Sequence, residues 1–207
     1  MAGIRNWFIR LFQRTNRDGR RRRRSPSPYE YTGAGCVFTD KYHILAGYQP
    51  RKNIPFISGF GGSKHPGETA LVTAIRETIE ELYDIAHVPD DLINTIHNAI
   101  RPMKLVSSGT YVLAIYSLRD LEILVNVVET YGIESPLYTK LPHTVPELIF
   151  WRKKSNTAEI SHILLLPYVK EHETNSPFVD PLFLEDMKRM DLTSSRSSGG
   201  AATPSRS

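Results

Sequence analysis

The chain has 207 residues, of which 40% are apolar and 23% charged, enough for one ordinary globular core with tails rather than two full domains. Its single cysteine, Cys36, excludes an internal disulfide and argues against a thiolate metal centre. No apolar run approaches the length of a bilayer span. The N-terminus alternates arginine with apolar residues instead of forming a secretory signal, so an intracellular protein, cytoplasmic or nuclear, is expected. The net charge of +4 is unevenly spread: residues 1–24 carry nine arginines and one acid, a local +8, which leaves −4 for the rest. The basic character belongs to an appendage, not to the folded part.

In chain order, Ile4, Trp7, Phe8, Leu11 and Phe12 recur at helical spacing with Arg5, Arg10 and Arg14 off the stripe, the pattern of a short amphipathic helix with a basic face. The polar, like-charged and Pro-containing run that follows, with Arg20, Arg21, Arg22, Arg23 and Arg24, reads as a disordered linker. Residues 1–28 are therefore an arm and linker, 29–192 a globular domain, and 193–207 a disordered Ser/Gly-rich tail. Within the domain, GAGCVF, YHILAGY and IPFISGF read as three strands, the last closed by a Gly61-Gly62 turn. Helical periodicity runs from about Pro66 to Leu82, with Pro66 in the first turn, where its missing N–H costs nothing. IRPMKLV and TYVLAIYSL form a strand pair joined near Ser107-Ser108-Gly109. LRDLEILVNVVETYG reads as a helix, with a strand possible at its Val-rich end; SHILLLPYV is a late strand and DPLFLEDMKRM a closing helix. Strands interrupted by a few helices give an α/β layered domain.

The chemistry concentrates in residues 61–84, GGSKHPGETALVTAIRETIEELYD. At about 100° per residue, Ala74, Ile75, Thr78 and Leu82 cluster around Leu71 as the face that packs on the sheet. Glu77, Glu80 and Glu81 fall together on another arc, with Arg76 at its edge. Carboxylates at these spacings repel one another, and a hard divalent cation converts that repulsion into binding. The glycines before the helix let backbone approach a metal or a phosphate closely. An isolated pattern of this kind is more often a solvated helix face. Here, however, the register extends over the whole segment. Gly62, Glu68, Arg76, Glu77, Glu80 and Glu81 match G-x5-E-x7-R-E-U-x-E-E-x-G-U, where U is apolar, so residues 62–84 resemble the Nudix box of the Nudix hydrolases. Thr78 replaces an apolar residue of that pattern, Tyr83 its glycine and Asp84 its last apolar position; the helix exit is therefore expected to be reshaped.

The resemblance implies a Nudix-type α/β/α sandwich with a mixed sheet, flanked by disordered tails, and a pyrophosphohydrolase that cleaves the diphosphate linkage of a nucleoside diphosphate joined to another group. It implies Mg²⁺ or Mn²⁺ held by Glu77, Glu80 and Glu81, with a backbone ligand from Gly62 or Gly61, and metal-assisted attack of water on phosphorus. Glu77 or a downstream glutamate is then the base. Arg76 belongs with the catalytic set, and Glu68 with Gly61 and Gly62 at the substrate side, both charged residues orienting the carboxylates rather than touching substrate. A capped RNA is favoured among substrates, in a decapping role, over an oxidised dNTP, a nucleotide sugar or an inositol pyrophosphate. The rivals are a hydrolytically silent module that binds RNA or a partner, and a membrane-attached structural protein.

Weaker signals lie outside that segment. Glu129 and Glu147 are candidates for a further acid, though each reads first as a surface residue. Phe150 and Trp151 could stack on a base, with core packing preferred for at least one. His65 reads as a plain loop residue. The arm admits RNA contact or nuclear import through Arg20 to Arg24, anionic-membrane binding, or mitochondrial targeting, ranked with nucleic acid first. Ser25 and Ser27, each before proline, are sites where phosphorylation would weaken any of these attractions.

Overall fold

The computed structural model describes residues 31–50, 56–168 and 177–190. The amphipathic arm, the arginine run and the C-terminal tail of the sequence analysis lie outside the described residues.

Strand β1 (Gly33–Thr39) is buried along its whole length and forms the middle of a mixed sheet. It pairs in parallel with β6 (Tyr111–Ser117), which in turn pairs antiparallel with β5 (Lys104–Ser108) through the turn at Gly109. On its other edge β1 meets β4 (Phe60–Ser63) over Gly33 to Cys36, and β2 (His43–Gln49) only at Thr39. β3 (Phe56–Ser58) lies beside β2, and β7 (His162–Pro167) closes β2's opposite edge. The third strand of the sequence reading is thus two short strands broken at Gly59, one serving β2 and one serving β1.

Helix α1 (Ala70–Tyr83) packs on one face of this sheet, over β1 and β4. α2 (Asp90–Ala99) and α3 (Leu118–Tyr131) complete that layer, with the short α4 (Val145–Phe150) against α3. α5 (Pro181–Met190) covers the other face, where Phe183, Met187 and Met190 pack with Val37, Ile44, Leu113 and Ile115. The result is a mixed sheet between helical layers, the α/β arrangement expected. Among the described residues no helix is long and apolar enough to cross a membrane.

The face of α1 follows the sequence phase in Ala74, Ile75, Thr78 and Leu82, which are buried and joined by Thr73, Ile79 and Tyr83, while Leu71 is only partly buried against the core. Each fully buried Ile or Leu contributes roughly 1.5–3 kcal/mol, so this stripe fixes the helix rotation and with it the direction of the glutamates. Both ends depart from the expectation. Pro66 and Gly67 form a turn ahead of the helix, and Thr69 is the N-cap, its hydroxyl accepting from Val72 N at 3.4 Å. At the exit, Tyr83 remains helical and fully buried, while Asp84 takes the left-handed conformation with φ of 53°. Asp tolerates that conformation far better than Tyr would, so the helix runs one residue further and moves the strained position onto the acid. α3 is a helix throughout, its Ser117–Asp120 capping box and the Gly132 C-cap deciding against a strand.

Two helices were not read from the sequence. α2 carries Leu92, Ile93 and Ile96 inward, and α4 is capped by Thr144, whose hydroxyl accepts from Glu147 N at 3.3 Å. The Gly61-Gly62 pair also differs from expectation. It is not a turn but part of β4, paired with Gly35 and Ala34.

Candidate functional site

The candidate site is the interface between α1 and β4. Gly61 has φ of +151° and sits where any Cβ would lie 2.2 Å from the Tyr111 hydroxyl oxygen and 2.5 Å from Gly35 Cα. Only glycine gives this backbone the conformation and the clearance it needs. Its N–H is left pointing at α1 and donates to Glu81 Oε2 at 2.9 Å. One residue on, a Cβ at Gly62 would lie 2.3 Å from Glu77 Oε2, so the Glu77 carboxylate rests directly on the strand. The glycines therefore serve the carboxylates through a bare strand edge rather than through a flexible loop.

Beneath the carboxylates lies Arg76, 5% exposed and central instead of at the edge of the arc. Every one of its five N–H donors is used. Nε donates to Glu68 Oε1 at 2.6 Å, and Nη2 to Glu68 Oε2 at 3.1 Å and to the Ser63 carbonyl at 2.8 Å. Nη1 divides between Glu77 Oε1 at 3.0 Å and Glu80 Oε2 at 2.9 Å. Glu68 is further held by Thr73 Oγ1 at 2.7 Å and the His65 N–H at 2.9 Å. Both Glu68 oxygens are thus engaged within the protein. Burial alone would raise the Glu68 pKa, but the hydrogen bonds from Arg76, Thr73 and His65 bring it down to about 2.

The other three acids behave oppositely. Burial raises Glu80 to about 7, with the Glu77 and Glu68 charges adding to it against the opposing pull of Arg76. Burial likewise raises Glu77. Glu81 lies well above the usual carboxylate range, first through burial and next through the charge of Glu159. The protein therefore holds three carboxylates where ionisation is disfavoured; Glu77 and Glu80 share the Arg76 guanidinium, and among the described residues Glu81 has only the Gly61 N–H.

Arg152, from the segment after α4, secures the end of the helix that carries them. Its guanidinium donates to the Leu82 carbonyl, to the Glu81 carbonyl at 3.1 Å and to the Ile160 carbonyl at 2.7 Å. Ser135 Oγ donates to the next carbonyl, Tyr83 O, at 2.6 Å. A cation at a helix C-terminus also suits the macrodipole. Neither Arg152 nor Glu159 was singled out in the sequence analysis. Both come from a loop some seventy residues downstream of α1, and no local spacing links them to it.

Among the acids that were singled out, Glu147 stands in the first turn of α4, where its carboxylate accepts from the His143 N–H at 3.0 Å and pairs with His143 Nδ1 at 3.1 Å, and Glu129 stands in the last turn of α3. His65 is mostly exposed, 3.7 Å from Glu68 Oε1. Phe150 and Trp151 are both exposed, contrary to the core packing expected of at least one.

Among the described residues, no three His, Cys, Asp or Glu side chains converge closely enough to hold a metal ion as they stand. Arg76 draws one oxygen each of Glu77 and Glu80 toward itself, and Glu81 turns to Gly61. The donor set nonetheless fits a hard divalent cation: it consists of carboxylate oxygens whose burial and mutual repulsion a positive charge would relieve.

No protein-family model and no curated protein sequence matches the chain. Solved structures similar to it include a NUDIX hydrolase from Nitrosomonas europaea, at 14% identity over 77% of this chain and 88% of that one, with a TM-score of 0.41. Another is a bifunctional NMN adenylyltransferase/ADP ribose pyrophosphatase from Francisella tularensis, complexed with AMP and a Mn ion. It aligns at 18% identity over 45% of this chain and 28% of that one, with a TM-score of 0.30.

Proposed function

We propose that the chain is a Nudix-type pyrophosphohydrolase that cleaves the diphosphate linkage of a nucleoside diphosphate joined to another group. The observation that carries this reading is that Glu81 and Glu77 rest on Gly61 and Gly62 while Glu77 and Glu80 share an arginine whose five donors are spent on holding acids and backbone. A solvated helix face would not bury its carboxylates or raise their pKa values.

Glu77, Glu80 and Glu81 are the residues that would hold Mg²⁺ or Mn²⁺, with Gly62 or Gly61 offering backbone. The ion would polarise a diphosphate oxygen and lower the pKa of a bound water. Arg76 and Glu68 are positioning residues: Glu68 fixes the guanidinium, and the guanidinium fixes one oxygen of Glu77 and one of Glu80. The proton of the attacking water goes to Glu77 or to an acid from outside the helix. Glu159 is the candidate there, because it is exposed and its charge acts on both Glu81 and Glu77. Arg152 keeps the last turn of the helix, and so Glu80 and Glu81, in place.

Among substrates, the 5′ cap of an RNA is favoured, with Arg20 to Arg24 neutralising RNA phosphates. The rival is a silent module of the same fold that only binds RNA or a partner, for which the departures at Tyr83 and Asp84 leave room. Phosphate or nucleotide release from capped RNA, dNTPs, nucleotide sugars and inositol pyrophosphates, with Mg²⁺ or Mn²⁺, decides between them. Release from one class names the substrate, and loss on capped RNA alone when Arg20 to Arg24 become Gln assigns the arm to RNA. Folded, metal-loaded protein that releases nothing from any of them supports the silent module.

A further inference from the structure

Beyond the carboxylate site, the exposed aromatic residues at the end of α4 form a distinct surface. Phe150 is 82% exposed and Trp151 42% exposed, at adjacent positions. Lys140 Nζ stands 5.7 Å from the Trp151 ring centroid, and the His143 ring meets Trp151 edge-on at 6.1 Å between centroids. Lys153 and Lys154 follow directly and are exposed, as is Lys140. Residues 140–154 hold four cations, Arg152 included, against the single acid Glu147, a local charge of +3 within a stretch, residues 25–207, that sums to −4. The Glu147 carboxylate is itself occupied by the His143 N–H and ring.

This surface does not stand apart from the candidate site. Arg152, between Trp151 and the two lysines, turns inward and binds the Glu81 and Leu82 carbonyls, so the aromatic pair is one arginine side chain from the helix that carries the glutamates. Core packing, which usually explains adjacent aromatic residues, is ruled out by their exposure. A protein partner's apolar patch would gain nothing from Lys140 over the ring or from the exposed Lys153 and Lys154 that follow it in the chain. Unpaired bases do gain from both, since they stack on exposed rings while their phosphates meet the cations.

We propose that Phe150 and Trp151, with Lys140, Lys153 and Lys154, form a stacking platform for single-stranded nucleic acid that leads a strand toward the α1 carboxylates. This deepens the RNA reading of the site and rests on it only for what happens to the strand once bound.

The test uses the full chain and fluorescence anisotropy of labelled 12-nucleotide single-stranded RNA, with a 12-base-pair RNA duplex beside it. The unaltered protein is expected to prefer the single strand, because paired bases offer no free face. Phe150→Ala/Trp151→Ala is expected to weaken single-strand binding about tenfold to a hundredfold while changing duplex binding little. Lys140→Gln/Lys153→Gln/Lys154→Gln is expected to flatten the salt dependence by about 0.7 in log–log slope for each phosphate that is no longer neutralised. Both sets lie on the surface, so an unchanged circular dichroism spectrum certifies the fold. Single-strand affinity unaltered in the aromatic double variant overturns the proposal, as does equal binding of single strand and duplex. Hydrolysis assays with capped RNA, dNTPs, nucleotide sugars and inositol pyrophosphates keep the two readings separable. Platform-dependent RNA binding without any hydrolysis overturns the hydrolase, and hydrolysis without platform-dependent RNA binding overturns the platform.

Discussion

The Glu77 carboxylate lies against the Cα of Gly62, so close that a methyl group added there would be 2.3 Å from Oε2. This contact joins the strand to the acidic helix at the point where the chemistry is proposed. It also makes the position informative. The group in the way is the far end of a flexible side chain, so Gly62→Ala can be accommodated by swinging Glu77 aside. Thermal stability is expected to change by about 1 kcal/mol or less, while turnover falls about a hundredfold, the typical result of misplacing a catalytic group. Parallel melting and kinetic measurements on one preparation check this. Full turnover in the alanine variant would remove Glu77 from the mechanism.

Arg76 is expected to be the residue on which the region's stability depends most. Removing it leaves Glu68, whose pKa it holds down to about 2, without its partner, and strips Glu77 and Glu80 of theirs. Breaking a buried ion pair from one side costs about 3–5 kcal/mol, so Arg76→Ala should lower the urea midpoint severely. Arg76→Lys should recover only part of the loss, since an ammonium cannot supply five donors in a planar fork.

The acids predict a pH dependence with a definite sign. Glu80 is raised from its ordinary 4.5 to about 7, and Glu77 and Glu81 are raised as well. A carboxyl raised in the folded state favours folding while protonated, so its contribution is complete below pH 4.5 and is lost as pH rises through about 7. Glu68, lowered to about 2, acts in the other direction and loses its contribution as pH falls from 4.5 toward 2. In EDTA, stability should therefore decline between about pH 4.5 and 7, and Mg²⁺ should restore it increasingly across that range. Melting curves with and without Mg²⁺ measure this directly. A stability that climbs from pH 4.5 to 7 in EDTA contradicts the site's electrostatics.

Much of this site was legible because it is local. Six matching positions lie within 23 residues, and helical phase sorts the buried Ala74, Ile75, Thr78 and Leu82 from the glutamates without any tertiary information. What was missed is what only the fold brings together. Arg152 and Glu159 reach the end of α1 from a distant loop. Arg76 reads as an edge residue on a helical wheel, yet Glu68 and Ser63 O close over it from the preceding segment. Gly61-Gly62 carries the composition of a turn, and its place in a strand follows from pairing with Gly35 and Ala34. Tyr83 looked misplaced only on the assumption that the helix ended there. α4 spans six residues, too few for a periodic signal.

Arg152 offers a further check on positioning at a distance. Arg152→Ala removes the donors to the Glu81, Leu82 and Ile160 carbonyls and is expected to cost about 1–3 kcal/mol. Hydrogen exchange should speed up in the last turn of α1 and leave its first turns unaltered. Uniform acceleration along the helix would assign Arg152 to global stability alone.

In the proposed function Glu80 and Glu81 serve hydrolysis through a divalent cation. The most direct measurement is Mg²⁺-dependent release of phosphate or nucleotide from the substrate panel by the unaltered chain and by the Glu80→Gln/Glu81→Gln variant, each verified as folded. The expected result is release that requires Mg²⁺ or Mn²⁺ and falls at least about a hundredfold in the variant. Release that persists undiminished in the variant, or that proceeds equally in EDTA, would contradict it.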